Sequence, residues 1–101
     1  MTEKLIPLTH PGKFLEEDYL EPLGLSRRAL ARAIGVSAPR INDLVRGRRG
    51  VTADTALRLA TYFGTSPELW LNLQVRYDLE TARRAVASDE LEAIEPLVAS
   101  V

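Results

Sequence analysis

Arg40, Arg46, Arg48 and Arg49 fall within sixteen residues, GVSAPRINDLVRGRRG at positions 35–50, in which Asp43 is the only acid. A guanidinium is a planar, permanently charged fork of N–H donors. It fits two acceptors at once, as a phosphate or the O6/N7 edge of a guanine presents them. The chemistry on offer is therefore polyanion binding, with a solvated arginine face as the plain alternative. Bond-breaking chemistry has little support. His10 is the only histidine, and its place before Pro11 suits the start of a helix. The chain has no Ser–His–acid set, no metal-ligand cluster and no phosphate-cradling glycine loop. It also has no cysteine. We expect a non-enzymatic protein that needs no cofactor and no metal.

The charge is distributed unevenly around that segment. The chain totals −1, yet from Arg27 to Arg58 eight arginines face only Asp43 and Asp54, a balance of +6. Residues 1–26 carry −3 and residues 59–101 carry −4. A basic middle between acidic ends suggests one face for a polyanion and another for a different partner. The 101 residues leave room for one domain, residues 1–101, with one modest core. No apolar run approaches the length of a spanning helix, and MTEKLIPLTH lacks the apolar core of a signal peptide. A cytoplasmic protein without membrane contact is the expectation.

Positioning the arginines falls to helices. No stretch alternates with period two for long, so the fold is expected to be all-α, a compact domain of five to six helices. Pro11 suits a first helical position, and that helix should end before Pro22. Ser26 caps a second helix with Leu30, Ala33 and Ile34 on its apolar side. Gly35 breaks it. Ser37 then caps a third helix, and Pro39 falls in its first turn, where a missing N–H is harmless. Ile41, Leu44 and Val45 form its buried stripe. Thr52 caps a fourth helix with Ala56, Leu57, Leu59, Ala60 and Phe63 inside. Ser66–Pro67 opens a fifth that runs to about Ala87, and Ser88–Asp89–Glu90 caps a short last one.

Two helices joined around a glycine, over about residues 26–46, make a helix-turn-helix whose second helix is placed for a major groove. Its exposed side chains define the candidate site. Arg40 can bond bidentately to guanine, and Asn42 pairs naturally with adenine. Ala38 and Pro39 can lie against a thymine methyl; Asp43 accepts from a cytosine amine or orients Arg40 or Arg46. Arg27, Ser37, Arg46, Arg48 and Arg49 are the phosphate candidates, Ser37 having a cap role in any case. Asp54 and Glu68, near helix starts, suit the helix dipole.

The fifth helix carries two opposed apolar stripes. Leu69, Trp70, Leu73 and Tyr77 share one face. Leu71, Val75, Leu79, Ala82 and Val86 share nearly the opposite one. One stripe meets the core. The other is expected to form a homodimer, in a C-terminal region of about residues 66–101, unless the last helix, with Leu91, Ile94, Leu97 and Val98, covers it. A dimer offers two reading helices about 34 Å apart to a pseudo-palindromic operator in double-stranded DNA.

The stretch SRRALARAIGVSAPRINDLVRGRRGVTADTALRLATYFG resembles the Cro/lambda-repressor-like helix-turn-helix family. With HPGKFLEEDYLEPLGLS before it and TSPELWLNLQVRYDLETA after it, residues 10–83 resemble the HigA-type antitoxins of bacterial toxin–antitoxin modules. The resemblance implies autorepression of the operon promoter and neutralisation of a cognate toxin, a RelE-like mRNA endonuclease. It places the reading helix at Ser37 to Arg46, with Ala38, Pro39, Arg40 and Asp43 facing bases. Ala38 and Pro39 stand where many relatives of the wider family carry glutamines, so the operator sequence is not implied. Such toxins are basic as a class, which makes Glu16, Glu17 and Asp18, or Glu90, Glu92 and Glu95, candidate toxin surfaces. A stand-alone repressor without a toxin is the alternative.

Overall fold

Four polar caps set the frame in a computed structural model that describes residues 9–97. Ser26, Ser37, Thr52 and Ser66 each accept a backbone N–H three residues on. Each thereby satisfies one of the orphan donors of a helix start. The helices that follow are α3 (Arg27–Ile34), α4 (Ala38–Val45), α5 (Ala53–Phe63) and α6 (Pro67–Ala85). Before them come α1 (Pro11–Leu15) and α2 (Glu21–Leu23), and after them α7 (Ser88–Glu92). No strand occurs among the described residues.

The first helix does not stop before Pro22. A π-helical turn, Glu16–Leu20, joins α1 to α2, so helical backbone runs unbroken to Leu23. Within it the Glu21 N–H reaches back five residues to the Glu16 carbonyl. This wider register is where the proline is absorbed: Pro22 has no N–H to give, and the π turn relaxes the crowding its ring would cause. Counting that rod once, the described residues form six helical pieces.

The core lies where the rod, α3, α4, α5 and the start of α6 converge. Leu15, Leu30, Ile41, Ala56, Leu59 and Trp70 are each 0% exposed. Phe14, Tyr19 and Phe63 surround the Trp70 ring with centroids 5.3–6.2 Å away. Its indole N–H, which burial would otherwise orphan, donates to Thr65 Oγ1 at 2.9 Å. Three expectations need correction here. Ala33 is exposed, and the covered side of α3 is Leu30, Ala31 and Ile34. Leu57 is 57% exposed rather than inside, because α5 is covered along only one stripe, Ala56, Leu59 and Ala60. Ser88 does not cap α7 but is its first residue. The cap position is Ala87, which has no side chain to bond.

His10 caps α1 through a ring nitrogen: Nδ1 accepts the Gly12 N–H at 2.9 Å. That bond requires the neutral ring with its proton on Nε2. The ring packs edge-on against Tyr77 of α6, with centroids 4.8 Å apart. Burial lowers its pKa below the ordinary 6.5, against an opposing pull from Asp78. The unfolded chain therefore takes up the proton more readily than the folded one. Stability is complete above 6.5 and falls as the pH drops through 6.5 toward the lower folded value. His10→Asn keeps a capping acceptor but does not titrate. Melting temperatures taken between about pH 7.5 and about pH 5 should fall less steeply in the variant than in the wild type. Parallel curves would show that His10 does not carry this loss.

Only the start of α6 joins the core. The described residues span 53 × 31 × 23 Å, and beyond Trp70 every residue of α6 and α7 is exposed or only half-buried. Among the described residues, no helix is long and apolar enough to cross a membrane.

Candidate nucleic-acid interface

The turn between α3 and α4 is built around Gly35, whose φ of 75° is the left-handed region that favours glycine. Val36 donates back to the Ala31 carbonyl at 3.0 Å, closing the end of α3. Ala31 is buried in the angle between the helices, and Val36 is half-buried against the core. Ser37 Oγ then accepts the Arg40 N–H at 3.3 Å, and α4 begins. Ile41 and Leu44 hold α4 to the core. What α4 presents outward is Ala38, Pro39, Asn42, Asp43 and Arg46, of which Pro39 and Arg46 are the most exposed.

Gly12 sets the seating of α4 from behind. A Cβ built on it would lie 1.8 Å from the Leu44 carbonyl oxygen and 2.8 Å from the Val45 Cα. The first helix therefore meets the backbone of α4 directly, with no side chain between them. The sequence alone gives Gly12 no role beyond following the helix-opening Pro11. Its smallness, rather than its flexibility, is what the contact uses.

The arginines divide into two groups. Arg46, Arg48 and Arg49 are exposed, and none has a side-chain partner among the described residues. Arg48 and Arg49 sit on the loop after α4, which is fixed from α6. Gln74 Oε1 accepts the Val51 N–H at 2.7 Å, and Gln74 Nε2 donates to Asp78 at 2.9 Å. Gly50 passes close under the same amide: a Cβ there would lie 2.9 Å from it, too near to fit without a shift. Three cationic side chains on a held loop and the end of α4 can track a phosphate backbone.

Arg40 and Arg27 are engaged within the protein. Arg40 Nη2 lies 2.7 Å from Asp54 Oδ2, and it also donates to the buried Thr55 hydroxyl. Asp54 takes a second cation, Arg58 Nε, at 3.0 Å. Arg58 Nη1 in turn donates to the Ile34 carbonyl at 2.7 Å, in the turn of the helix-turn-helix. Hydrogen bonds from Arg40 and then from Arg58 hold the Asp54 carboxyl below its ordinary pKa. The orientation of Arg40 thus comes from Asp54 and not from Asp43. Arg27 donates to Glu16 at 3.3 Å and to Asn42 Oδ1 at 3.4 Å, so it links the first helix to α4. Asp54 was read only as an acid at a helix start. Its spacing from Arg58 was visible in the sequence, but its pairing with Arg40 was not.

On α6, Val75 and Leu79 are 60% and 48% exposed. Ala82 is exposed, Val86 is half-buried, and Leu71 is half-buried against the core. The last helix leaves the stripe open: Leu91, Ile94 and Leu97 are themselves exposed. Val98 lies outside the described residues.

The fold is shared with known proteins. Residues 17–70 match the Helix-turn-helix family. The chain is 56% identical over 79 residues to virulence-associated protein I of Dichelobacter nodosus, covering 78% of this chain and 73% of that protein. It is 38% identical over 91 residues to antitoxin HigA-1 of Vibrio cholerae, covering 89% of this chain and 84% of that one. The solved structure of the Pseudomonas aeruginosa antitoxin HigA with the higBA promoter is similar at a TM-score of 0.85 and 47% identity. That match covers 91% of this chain and all of the other.

Proposed function

Since this chain belongs to the HigA family of helix-turn-helix antitoxins, we propose that it binds the promoter of its own operon and neutralises a cognate toxin. The observation that carries the DNA half is the row of unpaired cations, Arg46, Arg48 and Arg49, at the end of α4 and on the loop fixed by Gln74. α4 enters the major groove with Ala38, Pro39, Asn42 and Asp43 toward the bases. Arg40 joins them when it leaves Asp54. Ser37 and Arg27 lie at helix starts that face the phosphates. The protein does this as a two-fold dimer joined through Val75 and Leu79, flanked by Leu71, Ala82 and Val86. A pseudo-palindromic operator then engages both copies of α4.

The toxin half rests on the family and on charge. A RelE-like mRNA endonuclease is basic, and all carboxylates of this chain except Asp43 and Asp54 lie outside the arginine-rich segment 27–58. Glu16 and Glu17 are already paired with Arg27 and Lys13, which leaves Asp18, Glu90, Glu92 and Glu95 uncommitted. The test has two arms. Fluorescence anisotropy should show salt-dependent binding to the promoter fragment in preference to a scrambled one. Co-expression should restore growth to cells that make the small basic protein encoded beside this gene. Promoter binding without growth rescue would leave a stand-alone repressor. No promoter preference would remove the DNA half.

A further inference from the structure

We infer that Asp54 sets the DNA specificity of α4 by withholding Arg40 from DNA that lacks a guanine in the matching position. The inference rests on the promoter-binding reading above and deepens it. Three features of the geometry carry it. First, Arg40 is held, not free. Its Nη2 has Asp54 at 2.7 Å and the Thr55 hydroxyl beside it, and Thr55 is 2% exposed. Second, the carboxylate that holds it has another partner. The same Oδ2 accepts Arg58 Nε at 3.0 Å, and Arg58 is itself fixed to the Ile34 carbonyl. When Arg40 leaves, Asp54 therefore keeps a cation, and no charge is stranded. Third, the neighbouring arginines on the loop have no such holder among the described residues.

Two arginine populations follow. Arg46, Arg48 and Arg49 meet any phosphate backbone at once. Arg40 crosses to DNA only where the new bonds outweigh those to Asp54 and Thr55. A guanine edge offers the fork a bidentate pair, whereas the other base edges offer it at most one acceptor. Holding Arg40 back thus weakens binding to the wrong sequence more than to the right one, which is how discrimination is gained.

The experiment measures affinity for the promoter fragment and for its scrambled counterpart over a range of salt. It uses full-length wild type, Arg40→Ala, Asp54→Asn and the double variant, each checked for an intact thermal melt. Arg40→Ala should weaken promoter binding about tenfold or more and leave scrambled DNA unchanged. Asp54→Asn should tighten scrambled DNA and steepen its salt dependence by about 0.9, the increment of one phosphate contact. That gain should vanish in the double variant. Arg48→Ala, as a control, should weaken both DNAs alike. The inference is overturned if Arg40→Ala weakens both DNAs equally, if Asp54→Asn changes nothing, or if its effect survives the loss of Arg40. A wild-type protein that binds both DNAs equally would instead overturn the promoter reading itself.

Discussion

Gly12→Ala is expected to cost about 3 kcal/mol of stability or more, and to weaken DNA binding in whatever remains folded. Two effects oppose each other at this position. Alanine is the better helix former by about 1 kcal/mol, so propensity alone favours the change. Against it stands a methyl group 1.8 Å from the Leu44 carbonyl oxygen and 2.6 Å from its carbon. Those atoms are backbone, so no side-chain rotation can make room. Either the first helix lifts or α4 shifts, and both movements open the core around Leu15, Ile41 and Leu44. The clash should win. For a domain of this size the melting temperature should fall by roughly 12 °C or more. With α4 as the proposed reading helix, the folded fraction should also lose promoter preference more than general DNA affinity. A melt within a few degrees of wild type would show that the two helices slide apart readily.

Val75→Asp should leave the fold intact and lower promoter affinity by about 10²–10⁴-fold. Val75 is 60% exposed in the isolated chain, and exposed substitutions change stability by only about 0.5 kcal/mol. In the proposed dimer, however, the same carboxylate would be buried in the Val75/Leu79 stripe without a cation, which an interface does not tolerate. Sedimentation should therefore show monomers at micromolar concentration while the thermal melt is nearly unchanged. Losing the second reading helix removes the linkage between the two half-site affinities, and the promoter loss follows. A variant that still sediments as a dimer, or that binds the promoter as tightly as before, would remove the Val75/Leu79 stripe from the interface.

Legibility in the sequence followed the range of the interaction. Ser26, Ser37, Thr52 and Ser66 could be read as caps because a cap bonds its own helix three residues on. Pro39 and Pro67 were intelligible for the same local reason. Pro22 was not, because the register shift that accommodates it involves a whole turn of helix with no distinctive residue type. Leu57 was misplaced because apolar residues at 56, 57, 59, 60 and 63 surround more of α5 than its neighbours can cover. In the candidate site, residue chemistry identified the arginines but not their partners. Whether Arg40 is held by Asp43 or by Asp54 depends on how α4 meets α5, and the sequence pointed only to Asp43, three residues on along the same helix. Gly12 and Gln74 were missed for a related reason. A glycine that matters by being small, and an amide that matters by reaching another element's backbone, have no local signature.

The bond from Gln74 to Val51 bears on the entropy of binding. A flexible loop must surrender conformational freedom when it closes on a ligand, at about 1–2 kcal/mol for each residue ordered. The segment carrying Arg48 and Arg49 is tied at its far end to α6 before any DNA arrives. Its backbone order is settled when the chain folds, so little of that loss falls on the encounter itself. Gln74→Ala would return the loss to the binding step. Calorimetry would then register it as a more unfavourable entropy, even with every arginine still in place.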